Sequence, residues 1–277
     1  MSNLIVFTNR SGSTLLNEIL AYNDQSVNLG EGLHSLAREY NYNTEENKQT
    51  ELYKTFSTSS LTAIHHNMRT RGSDHIGFFK AKQTRMNILK QTNLQWTVKE
   101  NLEKQTLDTS FVDYCVDNGI NVYLTHRRDV VAQFISKINA RYRLEIAKMG
   151  ADNESQFIFT NKDNITKYTE MKIPFHWLHL YLNVFIAQLM LWRVVYERYK
   201  HNIKIVSYEN EIKPMNFQAI GISNDTVSRY NNEQKHLIPT PMNTDKVIVT
   251  DDHPKPIVGA WEQSLYYVER HKHLVEI

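Results

Sequence analysis

Four short apolar runs along the chain predict β-strands that are buried on both faces. They span Leu4–Thr8, His75–Phe79, Asn121–Thr125 and Asn202–Ser207, and a weaker run covers Ser26–Leu29. Their residues are apolar throughout rather than alternating with polar ones, which is typical of strands in a parallel sheet covered on both faces. The runs therefore predict the strands of one parallel sheet.

Segments with the helical spacing of apolar residues separate these runs. They cover Ser13–Tyr22, Leu52–Met68, Thr84–Lys90, Asp129–Arg143, Trp177–Tyr199 and, near the end, Val258–His271. Strands that alternate with helices predict an α/β fold of three layers, in which helices flank a central parallel sheet. We expect a single domain over residues 1–277, because the chain shows no internal repeat and no low-complexity segment.

Two segments do not follow this alternation. Residues 144–172 show neither helical nor strand periodicity, and we predict an insertion or lid there, at about 144–175, over the C-terminal edge of the sheet. Asn231–Pro256 is rich in Pro, Thr, Asn and Asp, which predicts a long ordered loop before the last helix.

Charge and cysteine content narrow the class of protein. The net charge is only +2, which argues against a nucleic-acid partner and against a polybasic membrane anchor. The single Cys115 excludes an internal disulfide framework and a cysteine-based metal cluster. The N-terminus runs directly into a predicted strand without a signal-peptide pattern, so we expect a cytoplasmic protein.

One stretch, Ile173–Trp192, has the length of a membrane-spanning helix and carries no formal charge. Pro174 opens the stretch, and four polar side chains interrupt it: His176, His179, Asn183 and Gln188. We therefore predict a buried helix of a soluble protein and no membrane insertion.

The N-terminal stretch LIVFTNRSGSTLL, at residues 4–16, passes from a strand through a turn with one glycine into a helix. The free N–H groups of such a turn and the helix dipole together bind phosphate-like anions. The stretch lacks the second glycine and the lysine of a Walker loop. Arg10 precedes the turn instead, and Ser13 and Thr14 follow Gly12. The pattern alone fits either an anion loop or an ordinary helix with Ser13 as its N-cap.

A second element of this kind is VYLTHRRDVVAQFIS, at residues 122–136. Two arginines end an apolar strand, Asp129 is suited to cap the next helix, and Ser136 follows Arg128 by eight residues. An arginine at a strand tip and a hydroxyl two turns into the helix can hold one anion together. The sequence thus predicts two anion sites at the ends of two parallel strands.

These two stretches resemble the motifs of the sulfotransferase family, which uses adenosine 3′-phosphate 5′-phosphosulfate (PAPS) on a P-loop-like α/β fold. TNRSGSTLL is similar to the 5′-phosphosulfate loop of that family, and VYLTHRRDVVAQFIS is similar to its 3′-phosphate motif. HIGFFKAK, IKIVSYEN and KPIVGAWEQ resemble three weaker family segments, so the resemblance runs from residue 4 to about 265. The most similar branch is that of the bacterial carbohydrate sulfotransferases of the trehalose type.

The resemblance implies which residues bind the donor. The loop residues Ser11, Gly12, Ser13 and Thr14 would hold the 5′-phosphosulfate through their N–H groups. Arg10 would neutralise charge on its oxygens, and Arg128 and Ser136 would bind the 3′-phosphate that distinguishes PAPS from ATP.

The resemblance also implies catalytic residues. Glu31, in NLGEGLH, is the first candidate for the general base that accepts the acceptor's proton, and His34 is the alternative. Lys80, directly after the predicted strand His75–Phe79, would stabilise the oxygen that leaves with the nucleotide, with Lys82 as the alternative.

The predicted reaction is in-line transfer of a sulfuryl group from PAPS to a hydroxyl of a carbohydrate or another small acceptor, with adenosine 3′,5′-bisphosphate as product. Positioning and electrostatics supply the catalysis of such transfers. No metal is expected, because a sulfonate carries less charge than a phosphoryl group. Two alternatives remain: a P-loop kinase, for which the loop lysine and a metal-binding aspartate are missing, and a nucleotide- or glycan-binding protein without activity.

Overall fold

A computed structural model describes residues 1–31, 33, 50–52, 54–55, 74–102, 109–149, 171–233, 247–250 and 257–277. The chain forms two compact units. One contains Met1–His126 and Val194–Tyr230, and the other contains Arg127–Arg193 and Asn231–Ile277. The expected single domain with a lid at about 144–175 stays a prediction, because residues 150–170 lie outside the described part of the chain.

The first unit is built on a parallel sheet. Its strands are β1 (Asn3–Phe7), β2 (Val27–Gly30), β3 (Trp96–Asn101), β4 (Asn121–His126) and β6 (Lys204–Ser207), in the spatial order β2-β3-β1-β4-β6. Every neighbouring pair is parallel. The predicted α/β fold with a central parallel sheet is therefore confirmed. Because β1 is central, the carboxyl ends of β3 and β4 flank the chain where it leaves β1.

The α-helices of the described part include α1 (Ser13–Asp24), α2 (Asp74–Gln91), α3 (Ser110–Asp117), α4 (Val130–Met149), α5 (Phe175–Tyr199), α6 (Asn224–Glu233) and α7 (Ala260–Arg270). A π-helix, Tyr208–Ile212, follows β6, and two short 3₁₀ helices span Gln218–Ile220 and Lys272–Val275. In the second unit, β5 (Met171–Pro174) pairs in parallel with β7 (Val247–Thr250).

Helices cover both faces of the main sheet, because successive residues of each buried strand point to opposite sides. On one face Ile5 and Phe7 of β1 pack with Leu16 and Ile19 of α1. On the other face Trp96 of β3 stacks on Phe111 of α3, with ring centroids 6.0 Å apart. Each buried side chain of this size contributes roughly 1.5–3 kcal/mol, so β1 and β3 are held firmly below the loop that follows β1.

The single cysteine lies in this second layer. Cys115 of α3 is completely buried, and burial, with a smaller contribution from the charge of Glu100, raises the pKa of its thiol. The thiol is therefore a packed apolar group rather than a nucleophile.

In the second unit, aromatic side chains join three helices. Phe134 of α4 packs against Phe185 of α5, with centroids 5.3 Å apart, and against Trp261 of α7, at 6.2 Å. The predicted long loop over Asn231–Pro256 is wrong for its later part, because Val247–Thr250 form β7. β-Branched residues at all four positions explain why this short segment becomes a strand.

Most predicted elements are confirmed. The strands predicted at Leu4–Thr8, Ser26–Leu29, Asn121–Thr125 and Asn202–Ser207 correspond to β1, β2, β4 and β6, and the helices predicted at Ser13–Tyr22, Asp129–Arg143, Trp177–Tyr199 and Val258–His271 correspond to α1, α4, α5 and α7. The helix predicted over Leu52–Met68 lies mostly outside the described residues.

The strand predicted at His75–Phe79 is wrong, because these residues belong to α2. Buried residues recur along α2 at Lys82, Met86 and Leu89, which is the spacing of one helix face. The place next to β1 is taken by β3, which the apolar pattern did not predict. Lys80, expected at a strand end, therefore lies inside a helix.

Helix α5 is long and apolar enough to cross a membrane by length and composition, and 44% of its most apolar 18-residue window is buried within the protein. Gln188 is fully buried, whereas Leu180 and Met190 are more than half exposed. One side of α5 thus packs into the protein, as expected for a core helix, and the other side faces outward.

Candidate active site

The turn between β1 and α1 gives the first turn of α1 no side-chain cap. Gly12 is the N-cap of α1, with φ 81°, and glycine supplies no side chain to accept a hydrogen bond from the helix start. Ser13 begins the helix itself, so the interpretation of Ser13 as the N-cap is wrong. The N–H groups at a helix start carry the positive end of the helix dipole. The loop therefore has the backbone geometry of an anion site.

Gly12 also lies in close contact with the π-helix after β6. A Cβ atom at this position would be 2.6 Å from Ile212 Cγ2 and 3.0 Å from Tyr208 Cδ2. Real Cβ contacts are not that short, and φ 81° disfavours any residue with a Cβ. The loop thus requires glycine both for its conformation and for its packing.

Side chains from the two strands beside β1 contact the loop. Asn101 Nδ2, at the end of β3, donates to Asn9 Oδ1 at 2.8 Å. Ser11 Oγ, on the other side of Arg10, lies 2.6 Å from Thr125 Oγ1 of β4 and 2.6 Å from the carbonyl oxygen of Thr8. Arg10 between them has a left-handed φ of 64°.

A buried lysine that the sequence reading missed joins this loop to a carboxylate. Lys99 of β3 is 3% exposed, and its Nζ donates to Thr14 Oγ1 at 3.0 Å. The same ammonium forms an ion pair with Glu31 Oε1 at 3.4 Å. It also lies above the ring of Phe7, 5.2 Å from the centroid. Lys99 therefore places a positive charge beside the first turn of α1.

The predicted general base lies where the sequence placed it. Glu31 directly follows β2, and its side chain is 20% exposed, so solvent or a small molecule reaches it. Lys99 links Glu31 to the loop, because its ammonium pairs with Glu31 and donates a hydrogen bond to Thr14. The structure thus brings together the loop, a lysine and a carboxylate that the sequence holds far apart. His34 lies outside the described residues.

A second carboxylate, Glu18, lies one helical turn after Thr14 on α1. Its Oε2 accepts a hydrogen bond of 2.6 Å from Tyr230 Oη of α6. Burial raises the pKa of Glu18, while the bond from Tyr230 and the charge of Lys99 oppose that shift. The polar side chains at this side of α1 therefore include Glu18 and Tyr230 as well as those of the loop.

The alternative lysine, Lys82, lies on the opposite face of the sheet. Its Nζ is 2.5 Å from Glu100 Oε1 in a pair that is almost completely buried. Glu100 follows Lys99 in β3, and neighbouring strand residues point to opposite faces. One turn later on α2, burial lowers the pKa of Arg85 to about 10. Lys82 is thus a partner of Glu100, and of Lys80 only the backbone lies in the described part of the chain.

The second predicted motif belongs to the second unit. Arg128 is exposed and Ser136 half-buried, two residues after the aromatic contacts of Phe134. Asp129 Oδ1 accepts from the backbone N–H of Ala132 at 2.8 Å, so Asp129 is the N-cap of α4, as predicted. Arg128 therefore lies just before, and Ser136 about two turns after, a helix start that already has a carboxylate.

In the described part of the chain, no group of three or more His, Cys, Asp and Glu side chains has the arrangement of a metal site. Near the loop, the described residues include the buried cation of Lys99, the accessible carboxylate of Glu31 and the N–H groups at the start of α1. Such an arrangement is chemically able to bind an anion beside a carboxylate.

Comparison with known proteins agrees with this chemistry. A family model described as Stf0 sulphotransferase matches residues 2–171. The match contains the loop after β1, Glu31, Lys99, Arg128 and Ser136. No curated protein and no solved structure matches the chain. Because the family model covers more than half of the 277 residues, the chain belongs to the Stf0 sulphotransferase family.

Proposed function

We propose that the protein transfers a sulfuryl group from PAPS to a hydroxyl of a small acceptor, a carbohydrate or a related compound. Family membership supports sulfotransferase activity in general; the donor and the acceptor class are our proposal. The observation that carries it is the contact of Lys99 with both Thr14 and Glu31, since it joins an anion loop to a proton acceptor.

The donor is bound at both of its phosphates. Backbone N–H groups of Ser11, Gly12, Ser13 and Thr14 hold the 5′-phosphosulfate, and the start of α1, which has no side-chain cap, supports this role. Arg10 neutralises charge on its peripheral oxygens. Arg128 and Ser136 bind the 3′-phosphate, which ATP lacks. Charge-assisted hydrogen bonds of this kind are about twice as strong as neutral ones.

The reaction is a single displacement at sulfur. The acceptor oxygen forms a bond to sulfur while the bond between sulfur and the bridging phosphate oxygen breaks, and adenosine 3′,5′-bisphosphate leaves with both bonding electrons. The carboxylate of Glu31 takes the acceptor's proton, with His34 as the alternative base. Lys99, in the role first expected of Lys80, stabilises the negative charge that develops on the bridging oxygen. The loop and the lysine together supply the positioning and electrostatics that such transfers need.

We further propose that the enzyme is cytoplasmic, binds no nucleic acid and does not insert into a membrane. The net charge of +2 and the partly buried α5 support it. Recovery of the activity in the soluble fraction after cell lysis is the expected result, and recovery with the membranes would contradict it.

Ligand selectivity tests the donor. Calorimetric titration with adenosine 3′,5′-bisphosphate, ADP and ATP should show clear preference for the bisphosphate, because Arg128 and Ser136 recognise the 3′-phosphate. Equal affinity for ADP would favour a P-loop kinase and remove the donor from the proposal.

Transfer of label tests the chemistry. With ³⁵S-labelled PAPS and a panel of sugars and alcohols, we expect label in at least one acceptor. Glu31→Gln should lower kcat by about 10²–10⁴-fold, which is the usual range for a general base, while the Kd of the bisphosphate stays within about twofold. Glu262→Gln, at an exposed position of α7, is the matched control and should leave both values unchanged. Bisphosphate binding without transfer to any acceptor would favour a binding protein.

Removal of the buried ammonium is a second test. Lys99→Met should lower kcat more than it raises the KM for PAPS, because the charge on the leaving oxygen develops in the transition state. Lys213→Met, at an exposed position, is the control. An unchanged kcat in Lys99→Met would exclude Lys99 from the chemistry.

A further inference from the structure

We propose that Asn101 and Thr125, at the carboxyl ends of the two strands that flank β1, are positioning residues for the donor loop. They hold Thr8–Gly12 in its anion-binding conformation before any ligand arrives. This inference rests on the proposed function, because it assigns donor binding to the loop, but its structural part is testable without a donor.

The two contacts lie at equivalent positions on either side of β1. Asn101 is opposite Phe7, the last residue of β1, and its amide donates to Asn9 Oδ1 at 2.8 Å. Thr125 follows Leu124, which is opposite Val6, and its hydroxyl lies 2.6 Å from Ser11 Oγ. Thr125 and Ser11 are completely buried and Asn101 is 9% exposed. Each flanking strand thus reaches one residue of the loop.

The direction of the second hydrogen bond follows from the first turn of the loop. The single hydroxyl hydrogen of Ser11 points to the carbonyl oxygen of Thr8, at 2.6 Å. Ser11 Oγ is therefore left as an acceptor for Thr125, so Thr125 Oγ1 donates. Both strands donate to the loop, and a buried donor that loses its partner is costly.

The residue between these two contacts explains why the loop needs them. Arg10 has φ 64°, a left-handed conformation that disfavours every residue with a Cβ. Such a backbone persists only where the surroundings fix it. Asn9 and Ser11, the neighbours of Arg10 on either side, are the residues that Asn101 and Thr125 hold. The two contacts therefore bracket the strained position.

A loop that is already in the bound conformation binds its ligand more tightly, because binding does not have to include the loss of conformational entropy on ordering the loop. Asn101 and Thr125 thus act on donor affinity through the loop. The simpler interpretation is that they are ordinary buried hydrogen bonds that stabilise the sheet, and a matched pair of residues in the same strands separates the two interpretations.

That pair lies at the other ends of β3 and β4. Thr97 is completely buried, and its Oγ1 bonds to Ser26 Oγ at 2.6 Å and to Asn3 Nδ2 at 3.0 Å. Asn121 Nδ2 donates to Asn3 Oδ1 at 3.3 Å. Thr97→Val and Asn121→Ala therefore make the same chemical changes as Thr125→Val and Asn101→Ala, in the same strands, far from the loop.

The experiment measures hydrogen exchange of the loop amides in ligand-free protein, urea unfolding, and steady-state kinetics with PAPS. Thr125→Val and Asn101→Ala should each speed exchange at residues 9–14 and raise the Kd of adenosine 3′,5′-bisphosphate and the KM for PAPS by about five- to tenfold, the effect of one net hydrogen bond. The value of kcat should stay within about twofold. Thr125→Ser keeps the hydroxyl and should restore wild-type values.

The controls give the opposite pattern if the inference is right. Thr97→Val and Asn121→Ala should lower the free energy of unfolding as much as Thr125→Val and Asn101→Ala do. They should leave hydrogen exchange of the loop amides and the Kd of the bisphosphate unchanged. Loop exchange in Thr125→Val that does not exceed that in Thr97→Val would overturn the inference, whatever the ligand. Faster loop exchange in a protein that binds no bisphosphate would instead leave the positioning role standing and remove the proposed donor.

Discussion

The starts of helices α1 and α4 differ in how the N–H groups of their first turns are capped. Each follows a buried parallel strand and leaves its first N–H groups without intrahelical partners. At α1 the N-cap is Gly12, which has no side chain to satisfy them. At α4 the carboxylate of Asp129 accepts from Ala132 N at 2.8 Å. The first helix start has no side-chain cap, whereas the carboxylate of Asp129 caps the second.

The difference assigns different kinds of anion recognition to the two motifs. In the proposed function, helix N–H groups and the dipole hold the 5′-phosphosulfate at α1, so the loop needs no Walker lysine. At α4 the carboxylate of Asp129 already meets the dipole and repels a second anion. A phosphate there depends on side chains, which is the role proposed for Arg128 and Ser136. Substitutions at four positions test this contrast, from the largest expected effect to the smallest.

Gly12→Ala should have the largest effect. The new Cβ would meet Ile212 at 2.6 Å in a left-handed backbone, so we expect a loss of about 2–4 kcal/mol in the free energy of unfolding. Bisphosphate binding should become undetectable by calorimetry. Gly119→Ala is the control, since Gly119 has φ 66° and nothing within 4 Å. It should cost only the conformational part, about 1–2 kcal/mol, and equal losses in the two variants would refute the packing argument.

Arg128→Ala tests the side-chain recognition assigned to the second motif. We expect adenosine 3′,5′-bisphosphate to bind more weakly by about 1.5–3 kcal/mol, the scale of a charge-assisted hydrogen bond. Adenosine 5′-phosphate, which lacks the 3′-phosphate, should bind the variant and the wild type equally. Calorimetry with both ligands checks this, and undiminished bisphosphate affinity would show that the 3′-phosphate lies elsewhere.

Asp129→Ala removes the cap of α4 and should destabilise the protein by about 1 kcal/mol, measured by urea unfolding. Asp129→Asn keeps an oxygen for the cap and removes the charge, so it should retain stability and bind the bisphosphate slightly more tightly. If both variants were equally unstable, the charge of Asp129 rather than its hydrogen bond would stabilise the helix.

Glu18→Gln gives the smallest effect and concerns α1. Because burial raises the pKa of Glu18 in the folded state above its ordinary value of 4.5, ionising it costs more in the folded than in the unfolded protein. Stability from this group is complete below pH 4.5 and is lost as pH rises through the raised pKa. Glutamine still accepts from Tyr230, so Glu18→Gln should gain stability over the wild type as pH rises. Thermal unfolding from pH 4 to 8 measures the difference, and a difference independent of pH would contradict it.

Local sequence signals were sufficient to predict the strand, turn and helix of both motifs and the position of Glu31 after β2, whereas the roles of these residues stay predictions. Strand, glycine turn and helix are contiguous at residues 4–16, as are strand, arginines and capped helix at 122–136. Glu31 was predictable because it directly follows a short apolar strand. In each case the residues that form the element are neighbours in the chain, so its pattern is visible without the fold.

The sequence reading failed at β3 for a physical reason. Lys99 and Glu100 interrupt its apolar pattern, and charged residues are rarely buried. Here they point to opposite faces, and each has a partner from another element: Glu31 for Lys99 and Lys82 for Glu100. Partners so distant in the chain are not visible in a local pattern. The apolar run at His75–Phe79 predicts a strand in its place, and Lys80 was expected at the end of that strand.

Because Cys115 is buried, thiol reagents do not reach it while the protein is folded. Its thiol lies under α3, and its raised pKa keeps it protonated in solution. A thiol reagent therefore labels Cys115 only when the helical layer beside β3 opens, and the labelling rate measures how often this opening occurs. The same property lets a single cysteine, introduced beside Glu31, carry a fluorophore that reports acceptor entry without first removing the native one.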